Sequence, residues 1–215
     1  MFLGDLIRGV ARYALTPGYF LSPLRGEERA KALVASDHLV RTFPFRRYLL
    51  SVSAIMKTLL LLRHAKPEDL APGLSDSDRK LMGAGKKQAR ELGLLLRQKH
   101  LKLDLVLCSP AARARETAEL VISSAEQLVA VHYDPAIYES GAETLLQLIS
   151  QIDNSANVVL LVGHNPAVAE LTTILTHSVT PFPPGTMARI NFDLPAWTNL
   201  TADSGQLAEI TSPST

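Results

Sequence analysis

The sequence predicts an α/β protein, a three-layer α/β/α sandwich around a mainly parallel sheet, preceded by an N-terminal extension over residues 1–55. Three observations predict it. Leu59-Leu60-Leu61-Leu62 and Val158-Val159-Leu160-Leu161-Val162 are short, unbroken apolar runs, as strands buried on both faces require. Each run ends in a histidine, His64 behind Arg63 and His164 behind Gly163. Between and around the runs, segments of helical spacing alternate with strand-like segments, which implies parallel strands joined by crossover helices. Ligands of such sheets bind beyond the carboxyl ends of the strands, so one cleft is expected to receive both imidazoles.

Met1 to Ala54 is rich in arginine and punctuated by proline, with no alternation of strand and helix. Phe2, Leu3, Leu6, Ile7, Val10, Tyr13 and Leu15 fall roughly along one helical stripe, which predicts a short amphipathic helix. Docking on the domain or partial disorder is the expected state of that stripe; a membrane-surface anchor is the weaker alternative, because Asp5 and a brief basic face argue against it. A domain over 56–215 follows, with Met56 as its start or as an alternative translation start. Lys57 to Leu62 is its first strand, and Gly85 to Leu96 has helical spacing. Leu103 to Cys108 is a second strand, broken by Ser109-Pro110. Serine favours the N-cap and proline the first helical position, which predicts a helix over Ala111 to Val121 with Arg113 in its opening turn. Glu143 to Gln151 reads as another helix and Val158 to Val162 as the next strand. Asn165-Pro166 repeats the cap-then-proline signal. The tail after Trp197 is expected to be less regular, with 211–215 a frayed end.

Composition narrows the function classes. With 215 residues and 47% hydrophobic content the chain can bury a full core. A net charge of +1 with dispersed Lys and Arg leaves no basic stripe, so nucleic acid is not an expected partner. A single cysteine, Cys108, forbids an internal disulfide and suits a reducing compartment; a cytoplasmic location is the default expectation. No apolar stretch reaches the ~20 residues that span a bilayer, and the first residues lack a secretory pattern. Neither His-Glu-x-x-His, Cys-x-x-Cys nor a phosphate-binding Gly-x-x-x-x-Gly-Lys occurs, so no metal and no cofactor are expected.

The chemistry follows from what converges. Arg63 and His64 leave one strand, Arg113 opens a helix whose free N–H groups favour an anion, and His164 leaves another strand. Guanidiniums bind phosphate oxygens in bidentate fashion, and histidines supply a nucleophile and a charge stabiliser near neutral pH. Phosphoryl transfer to an imidazole is the expected reaction. Cys108 is expected to be a core residue, Arg115 a solvated one, and His38, His100, His132 and His177 ordinary surface or loop histidines.

Arg63-His64-Ala65, Ser109-Pro110-Ala111-Ala112-Arg113-Ala114-Arg115-Glu116-Thr117-Ala118 and Gly163-His164-Asn165 resemble, in order and strand context, the three core motifs of the histidine phosphatase superfamily, which is phosphoglycerate mutase-like. Lys66, the Asp76-x-Asp78-Arg79-x-Leu81 stretch and Val158 to Pro166 make the compact form similar to the SixA-type phosphohistidine phosphatases. The resemblance covers roughly Met56 to Trp197. It implies that His64 is the phosphorylated nucleophile, that Arg63, Arg113 and His164 complete the phosphate pocket, and that no metal is needed. Ser109 and Asn165, within the same motifs, join Arg63 and Arg113 as expected substrate-binding residues. Leu81-Met82 departs from the Leu-Thr pair of many members and removes a helix cap. Glu139 and Glu143 lie where larger members carry a general acid; Glu139 is retained as a catalytic candidate, although both also read as exposed carboxylates at a helix start.

An alkoxide leaving group benefits from a positioned acid by roughly 10²- to 10⁴-fold, whereas an imidazole leaving from an N–P bond needs less help. The uncertain acid therefore leans toward phosphohistidine. Short connections leave no room for a lid, so an open site suited to a phosphorylated protein is expected. Two alternatives remain: a phosphatase or mutase for small phosphorylated molecules, and a non-catalytic phosphate-binding module.

Overall fold

The computed structural model describes residues 56–139 and 141–213. The readings on residues 1–55, including the amphipathic stripe and His38, lie outside the described residues. Met56 opens the first strand, and the unit that holds the fold spans Ser53–Thr215.

Six strands form one sheet in the order β3-β2-β4-β1-β5-β6. They are β1 (Met56–Arg63), β2 (Leu105–Cys108), β3 (Val131–Tyr133), β4 (Val158–Gly163), β5 (Met187–Asp193) and β6 (Gly205–Thr211). β1, β4, β2 and β3 run parallel; β5 and β6 close the other end antiparallel. Four helices cover the faces: α1 (Gly83–Gln98), α2 (Ala112–Ser124), α3 (Ala142–Ser150) and α4 (Ala167–Thr176).

The apolar runs explain the layering. Side chains alternate between faces along a strand, so every second residue of a continuous apolar run meets a different helical layer. Leu60, Leu62, Leu160 and Val162 pack with Ala89, Leu92 and Leu96 of α1 and Ala118 and Val121 of α2. Leu59, Leu61, Val159 and Leu161 pack with Leu145 and Ile149 of α3 and Val168 and Leu171 of α4. All four leucines of β1 are fully buried. Each of these buried side chains contributes roughly 1.5–3 kcal/mol of apolar stabilisation.

Several expectations need correction. β2 begins at Leu105, two residues later than its apolar pattern suggests. β3 and β5 were not anticipated, and β6 lies in the tail expected to be irregular. β3 is only three residues long, and β6 is a half-exposed edge strand with a register shift opposite Arg189 and Ile190, so neither carries a strong apolar pattern. α2 begins at Ala112 with Ala111 in the cap position, and Pro166 takes the cap position of α4. Ser109 and Asn165 therefore stand before the cap positions; the Ser109 hydroxyl accepts from the Ala111 N–H at 3.3 Å, and both side chains also reach the site. Met82 caps α1 without a side-chain hydrogen bond, as the loss of threonine there implies. Among the described residues no helix is long and apolar enough to cross a membrane.

Candidate active site

Parallel pairing brings the two histidines together. The last β1–β4 pair is Arg63 with Gly163, so the next residue of each strand leaves the sheet at the same edge. The His64 N–H donates to the Gly163 carbonyl at 3.0 Å, and the two rings stand 5.0 Å apart, tilted by 54°.

Each ring has a defined set of partners. His64 Nδ1 lies 2.9 Å from the Ala65 carbonyl, an acceptor, so the proton sits on Nδ1. Its Nε2 keeps a lone pair, which accepts from Arg113 Nε at 3.2 Å. His164 places Nε2 2.8 Å from the Ser109 hydroxyl and Nδ1 3.4 Å from Arg113 Nη2. Burial, reinforced by His164, Arg113 and Arg63, lowers the His64 pKa to about 3 against the opposing pull of the Ala65 carbonyl. Burial and then Arg113 lower His164 to about 4, although the Asp76 charge raises it. Both rings are neutral at pH 7.

Arg113, in the first turn of α2, is buried and is held at all three guanidinium nitrogens. Besides Nε, its Nη1 donates to the Asp76 main-chain carbonyl at 2.6 Å and Nη2 to Asp76 Oδ2 at 2.8 Å. Arg79 Nη1 donates to Asp76 Oδ1 at 2.8 Å, and the Tyr138 hydroxyl to Oδ2 at 3.0 Å. The Arg79 hydrogen bond, then those from Tyr138 and Arg113, hold the Asp76 carboxyl down at about 2. Arg63 donates from Nη1 to the Phe182 carbonyl at 2.8 Å, which also accepts from Asn165 Nδ2 at 3.0 Å. Arg63 Nε is buried with no hydrogen-bond partner among the described residues. A buried donor left unpaired costs about 1–3 kcal/mol.

Thr117 locks the frame. Its hydroxyl accepts from the Ala65 N–H at 3.1 Å and donates to the Arg113 carbonyl at 2.6 Å, joining the exit of β1 to α2. Across the pocket the Gly185 N–H reaches the carbonyls of Arg63 and His64 at 3.2 and 3.0 Å.

Of the residues singled out in the sequence, Arg63, His64, Ser109, Arg113, His164 and Asn165 come together. Glu139 does not join them: it is exposed and has no hydrogen bond to the others among the described residues. Its neighbour Tyr138 enters instead, its ring edge-on to His164 at 5.4 Å. Tyr138, Thr117 and the Phe182 carbonyl were missed, as was the contact of Asp76 with Arg113; the Asp76-x-Asp78-Arg79 stretch was the one available signal. Cys108 is fully buried and its thiol is pushed up to about 12, chiefly by burial, so it is a core residue. Arg115 is exposed and stacks on Tyr133, and His100, His132 and His177 are exposed.

A pair of neutral imidazoles between two guanidiniums is chemically able to hold an anion and to offer it a nucleophilic nitrogen. The model of the histidine phosphatase superfamily (branch 1) matches residues 59–148, a span that holds Arg63, His64 and Arg113. An uncharacterised protein of Mycobacterium leprae is 30% identical over 165 residues, 71% of this chain and 99% of that protein. The chain belongs to the histidine phosphatase superfamily. Two solved structures assigned as the phosphohistidine phosphatase SixA share its fold. The one from Nakamurella multipartitia has a TM-score of 0.67 at 26% identity and covers 74% of this chain and 98% of its own. The one from Agrobacterium tumefaciens has a TM-score of 0.64 at 27% identity and covers 73% and 98%. As a SixA-like histidine phosphatase the protein is an enzyme, a hydrolase of phosphoryl groups.

Proposed function

We propose that this histidine phosphatase works through a covalent phosphohistidine on His64, without a metal ion, and that its substrate is a phosphorylated protein carrying phosphohistidine. The observation that carries the reading is the state of His64: Nδ1 is held as a donor by the Ala65 carbonyl, so Nε2 keeps an unprotonated lone pair, directed to Arg113 Nε. A neutral imidazole of that tautomer is the form that can attack phosphorus.

In the first step Nε2 bonds to phosphorus while the bond to the leaving group breaks. Arg113 and Arg63 supply permanent positive charge for the phosphoryl oxygens. His164, oriented by Ser109, borders the same space. In the second step the oxygen of a water molecule bonds to phosphorus as the Nε2–P bond breaks and its electron pair returns to Nε2; the water's protons leave with the phosphate or pass to solvent. The two guanidiniums supply the positive charge that a metal would otherwise supply.

Two features support the substrate. The segments that border the pocket, 66–82, 134–139 and 178–186, hold only short 3-10 turns and no helix that would lid it, which suits a side chain on a protein surface. No group placed to protonate an alkoxide touches either imidazole among the described residues, and an imidazole leaving group tolerates that. The two SixA proteins of similar fold are assigned as phosphohistidine phosphatases, which supports the same substrate class.

Incubation with a protein phosphorylated on histidine is expected to release phosphate and, on rapid quenching, to leave acid-labile phosphate on His64. EDTA is expected to change neither rate. A His64→Ala variant that turns over like the wild type would remove the covalent step, and loss of activity in EDTA would remove the metal-free one.

A further inference from the structure

Asp76 stands at the mouth of the pocket with a capacity that the two steps above leave unused. Its carboxylate accepts three hydrogen bonds, one on Oδ1 from Arg79 and two on Oδ2 from Arg113 and Tyr138. A carboxylate has about four acceptor positions, so one on Oδ1 is unfilled among the described residues. The side chain is 44% exposed and open to an incoming group. Through Arg113, whose Nε reaches His64 Nε2 at 3.2 Å, and through Tyr138, whose ring meets His164 at 5.4 Å, it borders both imidazoles.

The charge of this carboxylate decides what it can do. Its cationic neighbours hold its pKa at about 2, so it carries no proton to give to an alkoxide, and it repels the negative charge that an alkoxide develops. A phosphorylated imidazole presents the opposite partner, a ring N–H that bears positive charge when the ring is protonated. Resting on the phosphohistidine reading above, we propose that Asp76 is a specificity-determining residue that accepts the free ring N–H of the substrate's phosphorylated imidazole and thereby selects phosphoramidate donors over esters.

The step balances without any other acid or base. The substrate ring enters with phosphorus on one nitrogen and a proton on the other, positively charged. His64 enters neutral, with its own proton on Nδ1 against the Ala65 carbonyl. As the His64 Nε2–P bond forms, the substrate N–P bond breaks and its electron pair returns to the substrate ring. That ring leaves as neutral imidazole, its N–H still on Asp76, and His64 becomes the phosphorylated cation. Without that second proton the ring would depart as an anion, so favouring the protonated ring favours cleavage.

The test compares kcat/KM for phosphoimidazole and for phenyl phosphate in the wild type, Asp76→Asn and Asp76→Glu. Both substrates slow in Asp76→Asn because Arg113 loses its charged tether. The ratio of phosphoimidazole to phenyl phosphate is expected to fall by a further factor of about ten or more, the loss of one charge-assisted hydrogen bond. Asp76→Glu is expected to restore most of the ratio. The wild type alone supplies a second measurement: a phosphoimidazole methylated on its second nitrogen keeps the positive charge but has no N–H. Relative to its uncatalysed rate it is expected to be cleaved about tenfold less well. An equal loss on both substrates in Asp76→Asn, or full cleavage of the methylated donor, would overturn the assignment of Asp76 and leave the phosphohistidine reading standing. A wild type that forms phosphorylated His64 from phenyl phosphate yet spares phosphoimidazole would overturn both.

Discussion

Arg113 serves three neighbours with one guanidinium: Nε toward His64, Nη2 toward His164 and Asp76, Nη1 toward the Asp76 main chain. A lysine has a single charged nitrogen and cannot span them. Arg113→Lys is therefore expected to lower kcat/KM on any phosphoryl donor by roughly 10²- to 10³-fold, the scale for removing one preorganised donor to a developing charge. Steady-state turnover checks it, and a loss under threefold would mean that charge alone suffices. His64 gives a second expectation. A free imidazole titrates near 6.5, whereas the buried ring titrates at about 3, so its C–H resonances should hold their neutral positions down to pH 5 in an NMR titration. Titration near 6 would contradict a neutral nucleophile held by burial. The sign for stability follows: between about 3 and 6.5 the unfolded chain binds the proton that the folded ring refuses, so this group makes stability fall as pH falls through that window. Arg63, His64, Arg113 and His164 were legible because strand ends and a helix start carry them. Tyr138 was not, because the turn that aims it pairs with a loop 62 residues away, and no local pattern encodes that meeting.

At the scale of elements, continuous apolar runs made β1 and β4 legible, since burial on both faces leaves no polar interruption. β6, at an edge, alternates weakly and was illegible for the same reason: half-exposure relaxes the demand on its residues. The Ser109 and Asn165 signals read as helix caps, yet Ser109 both accepts from the Ala111 N–H at the helix start and pairs with His164, while Asn165 goes to the Phe182 carbonyl. Cap-forming residue types and site residues are the same short polar side chains, so sequence alone does not separate the two uses. Helix packing also depends on a position that looks unremarkable in sequence. Gly93 of α1 lies so close to α2 that a Cβ there would collide with the Val121 carbonyl and stand 2.7 Å from the Ser124 Cβ. Gly93→Ala gains helix propensity but must push two helices apart, and overpacking of this kind costs about 1–3 kcal/mol. A lower urea midpoint with an unchanged slope is expected. Because α2 carries Arg113, the same variant should also lose activity; a more stable variant would show that the helices part freely.

Across the whole molecule, the pocket and the core draw on one stretch of chain. Both clusters of buried side chains are built from residues between Leu59 and Leu200, and the site draws on residues from Arg63 to Phe182. At the far end of the sheet from the pocket, Lys57 is fully buried, with Nζ donating to the carbonyls of Asn154 and Ala156 and to Asn157 Oδ1. Its ammonium also lies 5.8 Å from the centre of the Trp197 ring, whose Nε1 donates to the same Ala156 carbonyl. A buried charge is tolerated only when its hydrogen bonds are met, so this cluster closes the base of the sheet with groups from within the fold. We therefore propose that residues 56–215 form an autonomous phosphatase domain. Expressed alone, this fragment is expected to be soluble, to unfold in one cooperative transition, and to turn over a phosphoryl donor within about threefold of the full chain, since no step assigned to the site uses a residue before Arg63. Turnover of fragment and full chain at matched concentration checks it. An insoluble fragment would show that residues 1–55 complete the core, and a folded fragment with a raised KM and unchanged kcat would assign them to substrate binding instead.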